Sequence, residues 1–561
     1  MERRFVLAGL CGLAIVLAGA AAAVSPAVER SLAAPACDPI QTPPSFRGEV
    51  PTAEQVLGFP LGSQEVTSAE SNTYVDAVDA ASPRVISGTV TTSWLGRPFR
   101  FALVGKPGNL SRTELPRIQA SLRRLMDPAT PAGEADRIAR TTPAILWLLG
   151  NVHGGEESGT DSELRILFEL ADRDDCAARQ ILDDAVVGIM PTQNPDGREA
   201  ETRENFYRFD MNREWFARTQ RETDAKIELL RQFPGILHVD AHEMGGADYF
   251  FPPNADPIHH EHTDFNVDVT DNLYGTALAA EFNRQGIPFF TNEVFDFFAP
   301  VFGDTTPSHI FGSVGMTFEK EAGDPISQRT YEHYVTQWVA LSQGALNREP
   351  LLRRWHGEWV QAFQEGLAGR LQPNEVNDPG NTVERPVPTD PVRHYFIRAD
   401  EPSKAREVQS LVRRLQRTDV AVYRLTAPLA VPDFKEYGRP VGAAVLPAGT
   451  YWIPMAQQQK HWIQALLGED TYVPFRYFFD VSGWNNVMLF NVTGGRSGAV
   501  LNPTATLVGL LPQPPDPPLP SVVPSVAVFQ PGTTTSANQS TGWLRYLLEQ
   551  RWHLPYQLLT A

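Results

Sequence analysis

The sequence lacks an excess of basic residues. Its 48 lysines and arginines are outnumbered by 66 aspartates and glutamates, which gives a formal net charge of -18. A nucleic-acid partner requires a basic surface that neutralises phosphates, so this balance excludes nucleic acid as an expected partner. Hydrophobic residues make up 42% of the chain and charged residues 20%, as in an ordinary globular protein. Because 561 residues exceed one ordinary core, we expect two or three domains.

Long apolar runs are also scarce, and the one that stands out is at the N-terminus. Arg3 and Arg4 precede an apolar run over residues 5–20, and residues 21–23 are small alanines suited to cleavage. This pattern predicts a secretory signal peptide over residues 1–23, with an uncleaved membrane anchor as the alternative. The run is short and rich in alanine and glycine for a membrane span. We therefore expect a secreted or cell-envelope protein with no stable membrane span after signal cleavage.

Cysteine is rare, with three in the whole chain. Cys11 lies in the predicted signal peptide, which leaves Cys37 and Cys176 in the mature protein. Export permits a disulfide between them, and two unpaired thiols are the alternative, which the sequence alone does not resolve. Neither cysteine has metal-ligand spacing. Nothing in the sequence indicates an oligomeric state.

Several continuous apolar runs predict buried strands. A segment with helical periodicity, SELRILFELA, lies between the first two of these runs. Buried runs separated by helices predict an α/β fold, with a mixed, mostly parallel sheet and helices on both of its faces. Ligands of such sheets bind at the carboxyl ends of the strands. The four runs are AILWLLGNV at 144–152, AVVGIMPTQ at 185–193, GILHVDAHEM at 235–244 and SVGMTFEKE at 313–321.

The rest of the chain divides by composition. A lead-in over residues 24–51 is rich in alanine and proline, and residues 52–370 form the expected catalytic domain. A proline- and asparagine-rich linker is predicted at 371–391, followed by a smaller α/β accessory region at 392–509. Residues 510–561 begin with a second proline-rich stretch and end with one strand and one helix, VAVFQP and GWLRYLLEQ. These two elements cannot bury a core alone, so we expect this piece to dock on its neighbours or to belong to an incomplete domain.

The segment LLGNVHGGEESG contains a candidate metal site. His153 and Glu156 lie in a turn after a predicted strand, where two glycines permit tight backbone geometry. Hydrolytic zinc sites take three protein ligands from His and Asp/Glu, although a lone H-x-x-E is a common chance match. His242 is the expected third ligand. His238 is its competitor, but four residues along a strand span about 13 Å, so both cannot bind one ion. His238 is expected in the core, and Asp240 is expected to orient a ligand.

A hydrolase also needs a base that deprotonates water. Glu319, at the end of the run VGMTF, is the candidate, and Glu321 is the alternate further into the loop. No H-E-x-x-H motif is present, which excludes a thermolysin-like plan. Residues 194–197, NPDG, are predicted to form a turn. The following TRENFYRFDMNREW is rich in arginine, and a guanidinium in the cleft would suit a substrate with a free carboxylate.

Five motifs in order resemble the zinc carboxypeptidase family: HGGE, QNPDG, DMNREW, VDAHEMGG and GMTFEKEAG. The resemblance covers residues 52–354 and is far more specific than any single motif. It implies that His153, Glu156 and His242 bind one zinc ion and that Glu319 is the catalytic glutamate.

The resemblance also implies roles for residues of the arginine-rich segment. Asn212 and Arg213 match the pair that binds the terminal carboxylate of the substrate. An earlier arginine of the family polarises the scissile carbonyl, and Arg203 is our choice, with Arg208 and Arg198 as alternatives. The function implied is a zinc metallocarboxypeptidase that hydrolyses C-terminal peptide bonds of peptides or peptide-like substrates. A zinc-dependent amidase or deacylase, or a catalytically silent binding protein, are the alternatives.

Three features depart from the family or lie outside it. Many members have a tyrosine in a loop before the catalytic glutamate, whereas NEVFDFFAPVFGDTTPSHIFG contains none. The motif HHEH at 259–262 would suit a second metal, but we expect a polar loop there. The C-terminal region resembles the accessory, amidotransferase-like region of large bacterial carboxypeptidase-like proteins. An amidotransferase needs a nucleophilic cysteine, and no cysteine follows Cys176, so glutaminase activity is not expected.

Overall fold

The computed structural model describes residues 37–560, apart from 39, 247, 254–257, 292–302, 304–305, 372–389, 470–484, 517, 520 and 533–534. The predicted signal peptide, half of the lead-in and nearly all of the predicted linker lie outside the described residues. So do residues 292–302 and 304–305 of the segment in which the family tyrosine is missing. Among the described residues, no helix combines the length and apolar character that a membrane crossing requires.

The larger sheet has eight strands in the order β1-β2-β4-β3-β5-β8-β6-β7. Its centre is parallel, since β3 pairs in parallel with β4 and β5, and β5 with β8. Every residue of β3 and β4 is buried, which means that both faces of the central strands are covered. This confirms the predicted mixed, mostly parallel fold. The strands are β1 Val85–Thr92, β2 Pro98–Val104, β3 Ala144–Gly150, β4 Ala185–Met190, β5 Leu237–Met244, β6 Tyr249–Phe250, β7 Phe289–Phe290 and β8 Val314–Glu321.

Helices cover this sheet. The predicted helix SELRILFELA lies within a longer helix that packs on the central strands and against a second long helix. The helices are α1 Ala53–Leu57, α2 Ser68–Ala81, α3 Glu114–Met126, α4 Ala132–Thr141, α5 Ser158–Asp172, α6 Cys176–Asp184, α7 Pro195–Ala200, α8 Arg221–Gln232, α9 Asp264–Asp268, α10 Thr276–Gln285, α11 Thr306–Phe311, α12 Ile326–Leu346 and α13 Arg348–Ala368. A 3-10 turn spans Met211–Arg213 and a π-helical turn spans Val269–Gly275.

A disulfide joins Cys37 to Cys176, with 5.9 Å between their Cα atoms. It ties the start of the described chain to the first residue of α6. The pairing that the sequence left open is therefore present in the structure.

The accessory region differs from the predicted α/β unit, because every strand pairing in its seven-stranded sheet is antiparallel. Sequence neighbours β11 and β12 form a hairpin, which leaves no crossover helix between them and forces the opposite direction. The sheet order is β12-β11-β14-β9-β13-β10-β15. The elements are β9 His394–Ile397, α14 Ala405–Gln416, β10 Tyr423–Leu425, β11 Leu429–Glu436, β12 Gly442–Leu446, β13 Tyr451–Pro454, α15 Lys460–Leu467, α16 Asn486–Leu489, β14 Gly494–Ser497 and β15 Ala505–Leu507, with a 3-10 turn at Pro402–Lys404.

The last piece, called the C-terminal unit below, covers described residues 526–560. It consists of β16 Val526–Gln530, α17 Thr535–Tyr546, a π-helical turn Leu547–Arg551 and β17 Tyr556–Thr560, and its two strands pair in parallel. Two strands and one helix cannot form a core alone, and the unit packs on the region that contains the larger sheet. The domain boundaries and the amidotransferase-like character of this region stay predictions.

Candidate metal centre

The candidate site lies at the carboxyl ends of three neighbouring parallel strands. In register, Gly150 of β3 faces Ala241 of β5, and His242 of β5 faces Glu319 of β8. Register partners on adjacent strands direct their side chains to the same face of a sheet. The topology therefore places His242 and Glu319 side by side, next to the turn that leaves β3.

The turn after β3 has its shape because of one asparagine and one close backbone approach. Asn151 adopts a left-handed φ of 56°, and its Nδ2 donates hydrogen bonds to the carbonyl oxygens of His153 and Glu156, both at 2.9 Å. A Cβ on Gly154 would lie 2.0 Å from the carbonyl carbon of Gly197. Position 154 thus requires glycine because the NPDG segment leaves no space for a side chain there. The left-handed backbone conformation of the turn is adopted by Asn151.

The NPDG segment is the start of a short helix, which corrects the prediction of a turn. Asn194 caps α7, and its side-chain oxygen accepts a hydrogen bond from the Gly197 N–H at 2.9 Å. Pro195 occupies the first helical turn, where its missing N–H costs no hydrogen bond. This helix start forms the wall against which the Gly154 turn packs.

His153, Glu156 and His242 converge on one point, and we call these three residues the metal cluster. One ligand atom from each lies within 4.8 Å of the others, the one such group of three among the described residues. The Nδ1 atom of His153 lies 2.7 Å from Glu156 Oε1, and Nδ1 of His242 lies 2.9 Å from Glu156 Oε2. The two Nδ1 atoms are 3.2 Å apart. The structure thus brings together the three ligands that the sequence predicted.

Each histidine of the metal cluster is also hydrogen-bonded through its Nε2 atom to a second carboxylate, which orients the ring. The Nε2–H of His242 donates to Asp240 at 3.1 Å, as the sequence suggested, and that of His153 donates to Asp210 at 3.2 Å. A proton held on Nε2 leaves the Nδ1 lone pair directed at the cluster, which is the arrangement that metal-binding histidines require. The sequence reasoning missed Asp210, although it stands two residues before Asn212 in the quoted DMNREW motif.

The electrostatics of the cluster favour carboxylates in their charged form. Burial opposes ionisation of Glu156, but His153 and His242 hold the pKa of Glu156 below its usual range. Burial likewise opposes ionisation of Asp210, and His153, Arg213 and Arg203 keep the pKa of Asp210 well below normal. For His242, burial lowers the pKa, while Asp240 and Glu156 raise it more strongly.

This donor set fits zinc. Two imidazole nitrogens and one carboxylate are a known ligand set of catalytic zinc, which keeps one position open. The outer carboxylates Asp240 and Asp210 supply the supporting hydrogen bonds that such ligands have.

Glu319 is the third residue from the end of β8, and it is 9% exposed. It is in register with His242 on one side and with Phe250 of β6 on the other, so it faces the cluster's edge of the sheet. Glu321, the alternate base, lies two residues further on, and its Oε1 accepts a hydrogen bond from the Gly323 N–H at 2.9 Å. Its involvement in this loop favours Glu319 as the base.

The geometry separates the three candidate arginines. Arg203 Nε donates to Asp210 at 2.9 Å, and its Nη1 lies 3.6 Å from Glu156 Oε1, with 42% of the side chain exposed. Arg198 is buried and donates to the Val66 carbonyl oxygen. Arg208 packs against α17 at Gly542. Arg203 is thus the arginine placed at the open side of the metal cluster.

Asn212 and Arg213 lie in the 3-10 turn that follows Asp210. The Asn212 amide nitrogen lies 3.2 Å from His242 Nε2, so this residue borders the metal cluster. Arg213 is half-buried, and its Nη1 donates to the Asn212 carbonyl oxygen at 3.3 Å. Both predicted carboxylate-binding residues therefore lie beside the cluster, and their role stays a prediction.

The other histidines lie elsewhere. His238 is fully buried and lies 3.0 Å from the Ser313 hydroxyl, and burial lowers the pKa of His238 to about 3. Residues 259–262 lie outside helices and strands, in agreement with the expected polar loop, but all four are buried. Glu261 there contacts Lys460 Nζ at 2.8 Å and His461 Nδ1 at 2.6 Å, two residues of α15.

Two histidines and one glutamate are the zinc ligands of one class of hydrolases. In agreement, residues 71–250 match the family model for zinc carboxypeptidase, so the resemblance to that family is confirmed over this segment. Carboxypeptidase 2 of Trichophyton tonsurans is 27% identical over 152 residues, which cover 25% of this chain and 28% of that protein. The chain thus aligns with little more than a quarter of that relative.

Two solved structures are also similar to this chain. Thrombin activatable fibrinolysis inhibitor matches with a TM-score of 0.40 and 15% identity, over 53% of this chain and 79% of that one. A metallo-carboxypeptidase from Burkholderia cenocepacia matches with a TM-score of 0.37 and 16% identity, over 50% of this chain and 69% of that one.

Proposed function

We propose that this protein is a zinc-dependent metallocarboxypeptidase, with one zinc ion held by His153, Glu156 and His242. The observation that carries the proposal is the convergence of these three ligand atoms beside Glu319 at one edge of a parallel sheet. The match of residues 71–250 to the zinc carboxypeptidase model supports the same assignment. The substrates proposed are peptides or peptide-like molecules with a free carboxylate.

Each remaining residue has a role that its position supports. Zinc, when bound, supplies a Lewis acid that makes water more acidic and polarises a carbonyl group. Glu319 accepts the proton of the attacking water and delivers it to the leaving amine. Arg203, at the open side of the cluster, donates hydrogen bonds to the carbonyl oxygen as negative charge develops on it.

The substrate's terminal carboxylate is the proposed ligand of Asn212 and Arg213. A planar guanidinium donates two parallel hydrogen bonds to a carboxylate, which holds the last peptide bond in a fixed place. We also propose that the protein is exported, which the Cys37–Cys176 disulfide and the predicted signal peptide support.

A peptide-library digestion read by mass spectrometry tests the activity. We expect stepwise loss of residues from the C-terminus with the zinc-loaded wild type, and about 100-fold or greater loss of rate with Glu319→Gln. Glu321→Gln is the matched control, because it makes the same change two residues along the chain, and it should retain activity.

Metal analysis tests the site separately. We expect about one zinc ion per chain in the wild type. Internal cuts, or no products from a zinc-loaded protein, would contradict the carboxypeptidase assignment. Well below one ion per chain in a folded wild type would contradict the zinc site itself.

A further inference from the structure

The C-terminal unit packs on the loop that connects Arg203 to Asp210, here called the 203–210 loop. Both ends of this loop touch the metal cluster: Asp210 accepts a hydrogen bond from His153, and Arg203 contacts Glu156 and Asp210. The loop contains no regular helix or strand in the structure. Asn205 closes the middle of the loop, because its Oδ1 accepts hydrogen bonds from the Tyr207 and Phe209 N–H groups, both at 3.1 Å. The C-terminal unit adds contacts to this closed loop from outside.

Four hydrogen bonds join the C-terminal unit to the 203–210 loop, and one of them runs from Gln550 Nε2 to the Tyr207 hydroxyl at 2.7 Å. The Trp543 Nε1–H donates to the Arg208 carbonyl oxygen at 2.9 Å. The Tyr207 hydroxyl donates to Glu549 at 2.6 Å, and Gln539 donates to Glu204 at 2.9 Å. They are spread along the loop, so they fix its course as well as its distance from α17.

Aromatic rings fill the space between these hydrogen bonds. The Tyr546 ring packs at 5.3 Å from Phe209 and 5.5 Å from Tyr207, and at 5.8 Å from Trp94 next to β1. The Trp543 ring lies 6.0 Å from Phe209. Such ring pairs contribute to packing beyond the area that they bury.

The closest approach is at Gly542 in α17. A Cβ added there would lie 2.3 Å from the Tyr207 carbonyl oxygen and 2.5 Å from Arg208 Cβ. Neither of these atoms is the far end of a flexible side chain, so any side chain at position 542 must move the helix off the loop. The contact between α17 and the loop thus leaves no space for even one additional methyl group.

We infer that the C-terminal unit positions Arg203 and Asp210 for the reaction, with Gly542, Trp543 and Tyr546 as positioning residues that never touch the substrate. The inference rests on the proposed function, since it assigns the unit a role in that same site. Displacement of the loop would move the Arg203 guanidinium away from the carbonyl oxygen of the substrate. It would also move the Asp210 carboxylate away from the His153 ring. Misplacement of about 1 Å in such a group can cost about 100-fold in rate.

Gly542→Ala tests the inference. Alanine favours a helix over glycine, so α17 itself is preserved while its contact with the loop is broken. We expect the dissociation constant for a peptide phosphonate, which mimics the tetrahedral transition state, to rise about tenfold or more at unchanged stoichiometry in calorimetry. A partly unfolded sample would instead lower the stoichiometry and leave the dissociation constant as it was.

Zinc binding to the metal-free protein gives a second readout that does not depend on activity. Loss of the Asp210 contact should weaken zinc binding about tenfold in competition with a chelator. Unchanged phosphonate and zinc affinities in Gly542→Ala would overturn the inference. If the wild type binds zinc but hydrolyses nothing, the proposed function fails, and weaker zinc binding in the variant would still support the positioning role.

Two further variants serve as control and second test. Gly357→Ala makes the same substitution in α13 at a position with nothing within 4 Å of the added Cβ, and both affinities should match the wild type. If Gly542→Ala does not fold, Trp543→Phe removes the hydrogen bond to Arg208 together with part of the ring surface, and keeps an aromatic ring at a 44% exposed position. A phosphonate affinity weakened at least threefold would support the inference, and an unchanged affinity would overturn it.

Discussion

Two groups of histidine and glutamate in this protein have similar compositions and very different surroundings. In the metal cluster, the ligand atoms of His153, Glu156 and His242 lie within 4.8 Å of one another. The second group, which we call the interface cluster, consists of residues 259–262 with Lys460 and His461. There Glu261 lies 2.8 Å from Lys460 Nζ, and both side chains are completely buried.

The difference is in what neutralises the carboxylate. In the metal cluster, two imidazole rings and the partly exposed Arg203 guanidinium lie next to the Glu156 carboxylate, and a neutral imidazole can bind a metal through its nitrogen lone pair. In the interface cluster, an internal lysine from the accessory region already holds Glu261. A dense histidine motif therefore indicates a metal only where the fold leaves room for one.

The largest expected effect separates the two clusters by metal content. His242→Ala should reduce zinc from about one ion per chain to near zero and abolish hydrolysis, because two ligands do not retain a catalytic ion. His262→Ala in the interface cluster should keep its zinc. Metal analysis on dialysed protein distinguishes the two, and zinc loss from His262→Ala would break the comparison.

The next effect concerns stability. Glu261→Leu leaves the Lys460 ammonium buried without this partner and should lower the free energy of unfolding by about 3–5 kcal/mol, at unchanged zinc content. Denaturant unfolding measures the loss. The double variant Glu261→Leu/Lys460→Met removes both charges and should recover most of it. A neutral single variant would show that this ion pair does not stabilise the interface.

Arg213→Ala tests the substrate side of the metal cluster. Removing a charge-assisted hydrogen bond should lower kcat/KM for peptides by about tenfold to 100-fold, since such bonds contribute about 1.5–3 kcal/mol. Steady-state kinetics on paired substrates with a free or an amidated C-terminus provide the measurement. Equal losses on both substrates, or none, would favour a zinc-dependent amidase over a carboxypeptidase.

Asp240→Asn tests the support behind one zinc ligand. The His242 ring would lose its anionic partner, and zinc affinity should fall about tenfold to 100-fold while the three ligands remain. Chelator competition measures the affinity. Asp433→Asn, which alters a carboxylate bonded to Ser497 in the accessory region, is the control and should leave zinc affinity unchanged.

The smallest expected effect is a pH dependence of the interface cluster. Burial, then nearby histidines, lower the pKa of His262 well below its usual value, so the folded state excludes a proton that the unfolded state binds. The resulting stability is present above about pH 6.5 and is lost as pH falls, by about 1.4 kcal/mol per pH unit for one histidine. His262→Leu should flatten this slope between pH 6.5 and 5, as measured by denaturant unfolding. The control His553→Asn, at an exposed position, should leave the pH dependence of the free energy of unfolding unchanged. The expectation would be contradicted if His262→Leu also left it unchanged.

The strands that hold the metal cluster could be predicted because burial on both faces demands continuous apolar runs. The four runs at 144–152, 185–193, 235–244 and 313–321 correspond to β3, β4, β5 and β8. The ligand set followed from polar residues at the ends of such runs. The antiparallel accessory sheet was missed, because its short, partly exposed strands have no comparable pattern.

Contacts between segments far apart in the chain could not be predicted, because no local sequence pattern indicates them. The amino-acid sequence by itself determined the central strands and pointed to three candidate ligands and a candidate base, because spacing and polarity place them at strand ends. Only the tertiary structure decided that Asp210 supports His153, that residues 259–262 are buried against α15, and that the C-terminal unit packs on the 203–210 loop. Each of these pairs residues far apart in the chain, and such pairings are set by packing rather than by local sequence.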